Sequence, residues 1–373
     1  MIFVLFSLGM ALIFTLANFY SYKRFVGKIS FCQPFKKLFL SIFFLLSLIQ
    51  AFFIIFRSSE YLGDFWYGLL AISFAPTYCL FFAALLFDAL KFFLKLLGKD
   101  YKECALFGRF FLELVLVFAA IFATYESVGG ALKIPQVKTV DLHLENLEQN
   151  LSIALLADIH LGKNLHEDFL SGLITKVNEQ KADLIVIVGD LVDTDPKNLS
   201  YISKLNQLRS KYGTFYVLGN HEYYHGVNAV LELLRKKTNM QILVNESRDL
   251  GFINIAGLAD LTGLKKGVLA PDLARVRADL NASKPSILLA HQPKTVLLYD
   301  VSDFDLILSG HTHGGQIFPF GLLVKLQQGF VSGLYELGEK TRLFVSTGAG
   351  FWGPSFRTFA QSEIVILNLK GQQ

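Results

Sequence analysis

The sequence predicts an α/β domain preceded by an α-helical transmembrane region. Three observations carry this: a sharp change of composition along the chain, apolar runs of membrane-spanning length before it, and short Ile/Val/Leu runs alternating with helical patterns after it. A chain of 373 residues has room for two domains. The N-terminal part is dense in Phe, Leu, Ile and Ala with few charges, whereas the residues beyond Pro135 have the mixed composition of a soluble domain. The predicted layout is a multi-span helical region over residues 1–128, a linker over 129–149 and a globular domain over 150–373.

Crossing a hydrocarbon core of about 30 Å takes roughly 18 or more apolar residues in a helix. Residues 1–20, 38–56 and 65–87 meet that length, and residues 110–124 form a weaker fourth run that Arg109 and Glu113 shorten. The first run lacks the basic start and Ala-x-Ala exit of a cleaved signal peptide, so it reads as a retained span. Lys91, Lys95, Lys99 and Lys102 recur at helical spacing among Phe92, Phe93, Leu94, Leu96 and Leu97, a pattern that suits the headgroup layer or an ordinary basic loop. Lys23, Arg24, Lys28, Lys36 and Lys37 follow the first run, and the Lys91–Lys102 group follows the third. Because Lys and Arg favour the cytoplasmic side, four spans place the globular domain outside and three place it in the cytoplasm.

The formal net charge is +4, with no dense Lys/Arg tract in the soluble part, so nucleic acid is not an expected partner. Cys32, Cys79 and Cys104 all precede the globular domain. Disulfides, thiolate zinc sites and cysteine nucleophiles are therefore excluded from that domain.

Within it, residues 153–157, 184–188, 215–218, 253–258, 287–290, 306–308, 343–346 and 364–369 read as strands covered on both faces. Helical patterns lie between some of them, at 167–180, 199–212, 227–237 and 271–280. Polar residues gather immediately after the strands: Asp158 and His160, then Asp190 in GDLVD, then Asn220 and His221 in GNHE, then His291 in AHQP, then His311 and His313 in GHTHGG. In open α/β sheets the ligand site lies outside the carboxyl ends of the strands, where loops converge over a rigid base. Five clusters delivered to one rim make one site.

Carboxylate, imidazole and amide donors without sulfur suit Mn²⁺, Fe²⁺ or Zn²⁺. Their number exceeds one tetrahedral site and fits two adjacent ions sharing a carboxylate. The separate motifs are individually weak; in this order, each at a strand end, they are specific.

These motifs resemble those of the calcineurin-like metallophosphoesterases, and the GHTHGGQ form with nearby Pro319 resembles their bacterial membrane-associated branch. The likeness covers residues 151–369 and leaves the apolar third outside. It implies a four-layer α-β-β-α sandwich of two mixed sheets and the hydrolysis of a phosphodiester or pyrophosphate bond. It also implies two divalent metal ions, Mn²⁺ first, with Fe or Zn as alternatives. By motif, Asp158, His160 and His313 would hold the first ion, Asp190 would bridge, and Asn220, His291 and His311 would hold the second. His221 would act on the phosphate or protonate the leaving oxygen, as the catalytic residue rather than a ligand. Asp193 and Glu222 would orient ligands by hydrogen bonding.

Arg357, after a Gly-rich turn, is a candidate phosphate-binding cation, with an ordinary surface arginine as the competing reading. His166 and His225 match no ligand position. The expected partners are a lipid-linked or nucleotide-linked phosphate and membrane lipids, and no protein partner is implied. Relatives of this type cleave UDP-2,3-diacylglucosamine in lipid A assembly at the bacterial cytoplasmic (inner) membrane, which makes that lipid the leading expectation and a multi-pass anchor its setting. The alternatives are a broad phosphodiesterase acting on envelope polymers or nucleotides, and a scaffold with a vestigial site.

Overall fold

The computed structural model describes residues 2–57, 62–99, 101 and 106–371. It divides into two compact units, Met1–Gly129 with Gly353–Phe356, and Gly130–Trp352 with Arg357–Gln373.

The first unit is helical, with α1 (Ile2–Arg24), α2 (Lys36–Phe56), α3 (Asp64–Ile72) and α4 (Phe74–Leu96), and most of α5 (Leu106–Leu132). Among the described residues, three stretches are long and apolar enough to cross a membrane: Ser30–Phe56, Asp64–Leu96 and Phe107–Leu132. The expected run at 1–20 falls on α1, where the side chains of residues 1–6 lie outside the described residues. Two expectations change. Lys91 and Lys95 sit on α4, so they continue a long apolar helix rather than begin an interfacial one, and Lys102 lies outside the described residues. Nor is the fourth segment shortened, because the buried Glu113 carboxylate accepts from the Ser30 N–H at 2.9 Å and the Tyr101 hydroxyl at 3.1 Å. A polar group so satisfied can remain within an apolar helix.

A closed ring of hydrogen bonds joins α1, α2 and α4. Asn18 Nδ2 donates to Gln50 Oε1 at 2.9 Å, Gln50 Nε2 to Thr77 Oγ1 at 2.7 Å, and Thr77 Oγ1 to Asn18 Oδ1 at 2.8 Å. All three side chains are buried, and in an apolar setting such bonds hold helices in register.

In the second unit the alternation of strand and helix produces β1 (Gln136–His143), β2 (Leu151–Leu156), β3 (Leu161–Gly162), α6 (Glu167–Glu179), β4 (Leu184–Val188), β5 (Val192–Asp193) and β6 (Thr214–Val217). There follow α7 (Asn220–Tyr224), α8 (Val227–Lys237), β7 (Gln241–Ile242), β8 (Glu246–Asp249), β9 (Asn254–Gly257), α9 (Thr262–Lys266), α10 (Leu273–Ala278) and β10 (Ser286–Leu289). The chain ends through α11 (Thr295–Leu298), β11 (Leu306–Ser309), α12 (Phe320–Gln328), β12 (Gly333–Glu336), β13 (Arg342–Val345) and β14 (Glu363–Lys370).

The strands form two six-stranded sheets, β1-β14-β2-β4-β6-β7 and β12-β13-β11-β10-β9-β8, beside the small β3-β5 pair. Both large sheets are mixed, with β14 antiparallel to β2 in the first and β12 and β8 antiparallel to their neighbours in the second. Side chains alternate across each strand. Ile153, Leu155, Val186 and Val188 meet Ile287, Leu289, Leu306 and Leu308 in a core between the sheets, while Ala154, Leu156, Ile185 and Ile187 face α6 and α8 on the other side. Leu288 and Ile307 pack outward with α10. The expected four layers are present.

Residues 129–149, read as a linker, differ from expectation. They contain β1, which pairs with β14 over eight residues, and Leu142, Leu144 and Leu147 are buried in the inter-sheet core. Mostly exposed positions, broken only at Val137, Val140 and Leu142, hid this edge strand from a search for continuous apolar runs. The expected helix at 199–212 is a 3-10 helix over Ser200–Gln207.

Candidate metal centre

The central strands are parallel, so β2, β4 and β6 of one sheet and β10 and β11 of the other release their following loops at one edge. Those loops carry Asp158, Asp190, Asn220, His291 and His311 in turn. Their backbone is unusual: Asp158, His160, Asp190, His311 and His313 all have positive φ, between 49° and 68°. Non-glycine residues avoid this region unless the surrounding structure compels them, and such strain gathers at functional sites. Two glycines permit the crowding. A Cβ on Gly189, itself at φ +76°, would lie 2.4 Å from His291 Nδ1, and one on Gly219 would lie 2.2 Å from Asp190 Oδ1.

The loops bring the side chains together as two clusters, with Asp190 of the second reaching His160 of the first. Asp158, His160 and His313 form the first, and Asp190, His291 and His311 the second, with His160 and His221 also beside Asp190. Asp190 Oδ2 lies 3.2 Å from His291 Nε2, 3.7 Å from His160 Nε2 and 4.0 Å from His221 Nε2. Asn220 Oδ1 is 3.2 Å from His291 Nε2. On the other flank, His313 Nε2 is 3.5 Å from Asp158 Oδ1 and 3.1 Å from His160 Nε2.

The donor set fits divalent cations on three observations. His291 Nδ1 donates to the Val188 carbonyl at 2.9 Å, which leaves Nε2 to face Asp190 with its lone pair. The Nδ1 atoms of His160 and His313 are buried without a hydrogen-bond partner while their Nε2 atoms converge. Asp158 and Asp190 are fully buried, and buried carboxylates are costly unless positive charge accompanies them.

Protons compete for the same place. Burial pushes the Asp158 carboxyl up to about 7, reinforced by the charge of Asp190 and opposed by His291. Burial also disfavours a charged His291, but Asp190 and Asp158 outweigh it and hold that imidazole well above its usual value. Burial takes His160 down to about 4 and His311 to about 3.

A metal requires Asp158 ionised and His291 neutral, whereas both shifts favour the protonated forms. Affinity for Mn²⁺ should therefore rise with pH, by about tenfold for each proton displaced per pH unit below 7. Calorimetric titrations at several pH values check this; a constant affinity from acid to neutral pH would contradict it.

Glu222 proves more central than its place beside the motif suggests. Fully buried, it accepts backbone N–H groups from Asp190 at 3.1 Å, Val192 at 3.0 Å and Gly219 at 2.7 Å, tying together the loops after β4 and β6. Glu222→Gln presents an amide to one of these donors, so a loss of about 1–3 kcal/mol in stability is expected. Chemical denaturation of the metal-free protein measures it, and an unchanged midpoint would refute the brace.

Asp193 Oδ1 lies 2.7 Å from His221 Nδ1 and 3.2 Å from His225 Nε2. His221 and Asp193 shift oppositely. Burial disfavours the imidazolium, but Asp193 and Asp190 raise it to about 9; burial disfavours the carboxylate, but His221 holds Asp193 well below its usual value. His225 thus joins the site edge through a shared carboxylate, and its i, i+4 spacing from His221 was the available signal.

Arg357 departs from its expected role. Its buried guanidinium donates to the carbonyls of Ala360, Gly348, Gly350, His313 and Thr347, so it braces the His313 loop against the turn at Gly348–Gly350 instead of presenting itself to a phosphate. Five donors are spent on five carbonyls.

The calcineurin-like phosphoesterase family model matches residues 151–315. A metallophosphoesterase of Campylobacter jejuni is 64% identical over 100% of both chains. One from Helicobacter pylori is 37% identical over 98% of each. A transmembrane protein with metallophosphoesterase domain from Danio rerio is 34% identical over 82% of this chain and 74% of its own. Among solved structures, the NAD nucleotidase of Haemophilus influenzae matches with a TM-score of 0.36 and 17% identity over 54% of this chain and 45% of that one, a likeness too loose to argue from. A relative 64% identical over the whole length of both chains, together with the family model over residues 151–315, gives the family: the chain belongs to the calcineurin-like phosphoesterases, as a membrane-associated, metal-dependent phosphoester hydrolase.

Proposed function

We propose that the protein hydrolyses a phosphodiester or pyrophosphate bond in a membrane-associated substrate, with UDP-2,3-diacylglucosamine as the specific candidate. In this reading residues 1–128 are a multi-pass anchor in the bacterial inner membrane and the unit from Gly130 onward, β1 included, is the catalytic domain. Asp158, His160 and His313 would hold one ion, Asn220, His291 and His311 the other, and Asp190 would serve both. The observation that carries the reading is Asp190 Oδ2, which three histidine rings face from two clusters. Two bound divalent ions, Mn²⁺ in the first instance, would acidify the attacking water and neutralise phosphate oxygens.

The chain's own groups do the rest. Asp193 fixes the His221 ring through Nδ1, which turns Nε2 toward the centre with a proton to give to the leaving oxygen. The His221 side chain is 17% exposed, so a phosphate ester can reach it. The lipid-linked substrate is supported by apolar helices of spanning length in the same chain as the metal cluster.

The test is chromatographic analysis of products from the purified full-length protein with Mn²⁺, given UDP-2,3-diacylglucosamine in mixed micelles. Release of UMP with the lipid phosphate is the expected result. Cleavage of simple diesters or nucleotides without that lipid would favour the broad phosphodiesterase, and a metal-loaded protein inert toward all of them would favour the scaffold.

A further inference from the structure

Amphipathic helices on a soluble domain turn their apolar residues inward, and α6 and α8 do so with Leu170, Leu173 and Ile174 and with Val230, Leu231 and Leu234. Helix α12 does the reverse. Its inward face consists of Gly321, Val324 and Gln328, spaced for one side of a helix, whereas Leu322, Leu323 and Leu326 are 65%, 59% and 83% exposed. The outward apolar surface continues past both ends of the helix. Phe318, half exposed just before it, stacks edge-on against the exposed Phe359 at 6.0 Å, and Gly329, just after it, abuts the exposed Leu297 of α11.

An apolar face of this extent in water is a standing cost, at about 25 cal/mol for each Å² left uncovered. The chain itself indicates what covers it. Helix α5, the last of those long enough to span, ends at Leu132, and β1 begins at Gln136. The three residues between them reach no more than roughly 14 Å, so the catalytic unit is tethered close to the place where α5 leaves the bilayer. Lys325, exposed among the leucines, has the stem and ammonium to reach headgroup phosphates while the leucines enter the acyl boundary.

We infer that α12, with Phe318 and Phe359, is an interfacial helix that inserts into the headgroup–acyl boundary of the membrane anchoring the chain. It packs on the metal-ligand loop: a Cβ on Gly315, two residues from His313, would lie 2.4 Å from the Gly321 Cα. Insertion therefore seats the rim of the metal centre at the lipid surface, whichever phosphoester it cleaves.

Spin-label accessibility tests this in the full-length protein reconstituted in vesicles of phosphatidylethanolamine and phosphatidylglycerol. Starting from a variant with Cys32, Cys79 and Cys104 replaced, nitroxides are attached at Leu326→Cys, at Phe44→Cys on the lipid-exposed side of α2, and at Lys236→Cys on the exposed surface of α8. Retained phosphodiesterase activity of the labelled proteins shows that they are folded, and Leu323→Cys replaces Leu326→Cys should the latter not fold. The expected result is that the label on α12 behaves like that at Phe44, with collisions with dissolved oxygen kept and those with a water-soluble nickel chelate lost. Chelate collisions as frequent as at Lys236 overturn the inference. So does protection from both reagents, which would mean that the chain's own helices or a second copy cover the face.

Discussion

Asp190→Ala is expected to abolish hydrolysis and to strip the protein of metal while leaving it folded. Every other candidate ligand belongs to one cluster, but Asp190 Oδ2 stands between His291 and His160, within reach of both. In the proposed arrangement, removing a terminal ligand would weaken one ion, whereas removing this oxygen would weaken both and with them the source of the nucleophile. Folding should survive because Asp190 is held by its backbone: its N–H donates to Glu222, and its carbonyl accepts from the His160 N–H at 2.9 Å. Alanine keeps both bonds. Loss of the side chain also removes a buried negative charge, which offsets part of the packing lost. Activity, elemental analysis and circular dichroism on one preparation decide the matter. Activity within about tenfold of wild type corresponds to only about 1.4 kcal/mol of barrier and would rule out the shared role.

His221→Ala is expected to separate turnover from metal binding. The ring is tethered to Asp193 at Nδ1, while the contact that matters to Asp190 comes from the His221 backbone, whose N–H donates to Asp190 Oδ1 at 2.8 Å. Alanine deletes the first and preserves the second. Turnover should fall by about 10²–10⁴, the usual contribution of a positioned general acid, with bound metal near the wild-type amount. Substrates with good leaving groups should lose less, because they need no proton on the departing oxygen. A metal content that collapses alongside activity would instead make His221 a ligand, which its 4.0 Å approach to Asp190 Oδ2 also brings within geometric reach.

The two variants share a physical premise about the rim. Asp158, His160, Asp190, His311 and His313 are held in left-handed backbone, and backbone bonds between loops support it: Asp158 N–H to the Gly189 carbonyl, His160 N–H to Asp190, Gly310 N–H to His291 and Gly350 N–H to Asp158. The His311 N–H adds a bond to each oxygen of Asp158 at 2.9 Å. Side chains at such a rim are aimed before any ion arrives, so single substitutions act on chemistry more than on fold.

Much of this was legible in the residues themselves. Continuous Ile/Val/Leu runs placed the central strands, because a strand buried on both faces has no polar positions to disguise it, as in Leu184–Val188. The polar motifs that follow them named the cluster, because strand ends in a layered sheet converge on one edge. Spanning length alone separated the apolar third from the rest. What stayed hidden in the sequence depends on contacts between distant residues. An edge strand such as β1 has no apolar run of its own and exists because β14 lies beside it. Glu222 sits next to a ligand motif, but only the fold shows that its carboxylate joins two loops. Arg357 reads as a cation awaiting phosphate until five carbonyls from separate turns are seen to surround it. Leu322, Leu323 and Leu326 are apolar by type, and only the fold shows Val324 and Gln328 on the inner face of α12 with the leucines outside. The sequence by itself determined the central strands, the donor chemistry and the membrane region, since these follow from residue type and short-range period. Only the tertiary structure decided which polar atoms are already satisfied and which apolar ones are not, because hydrogen bonding and burial are settled between segments far apart in the chain.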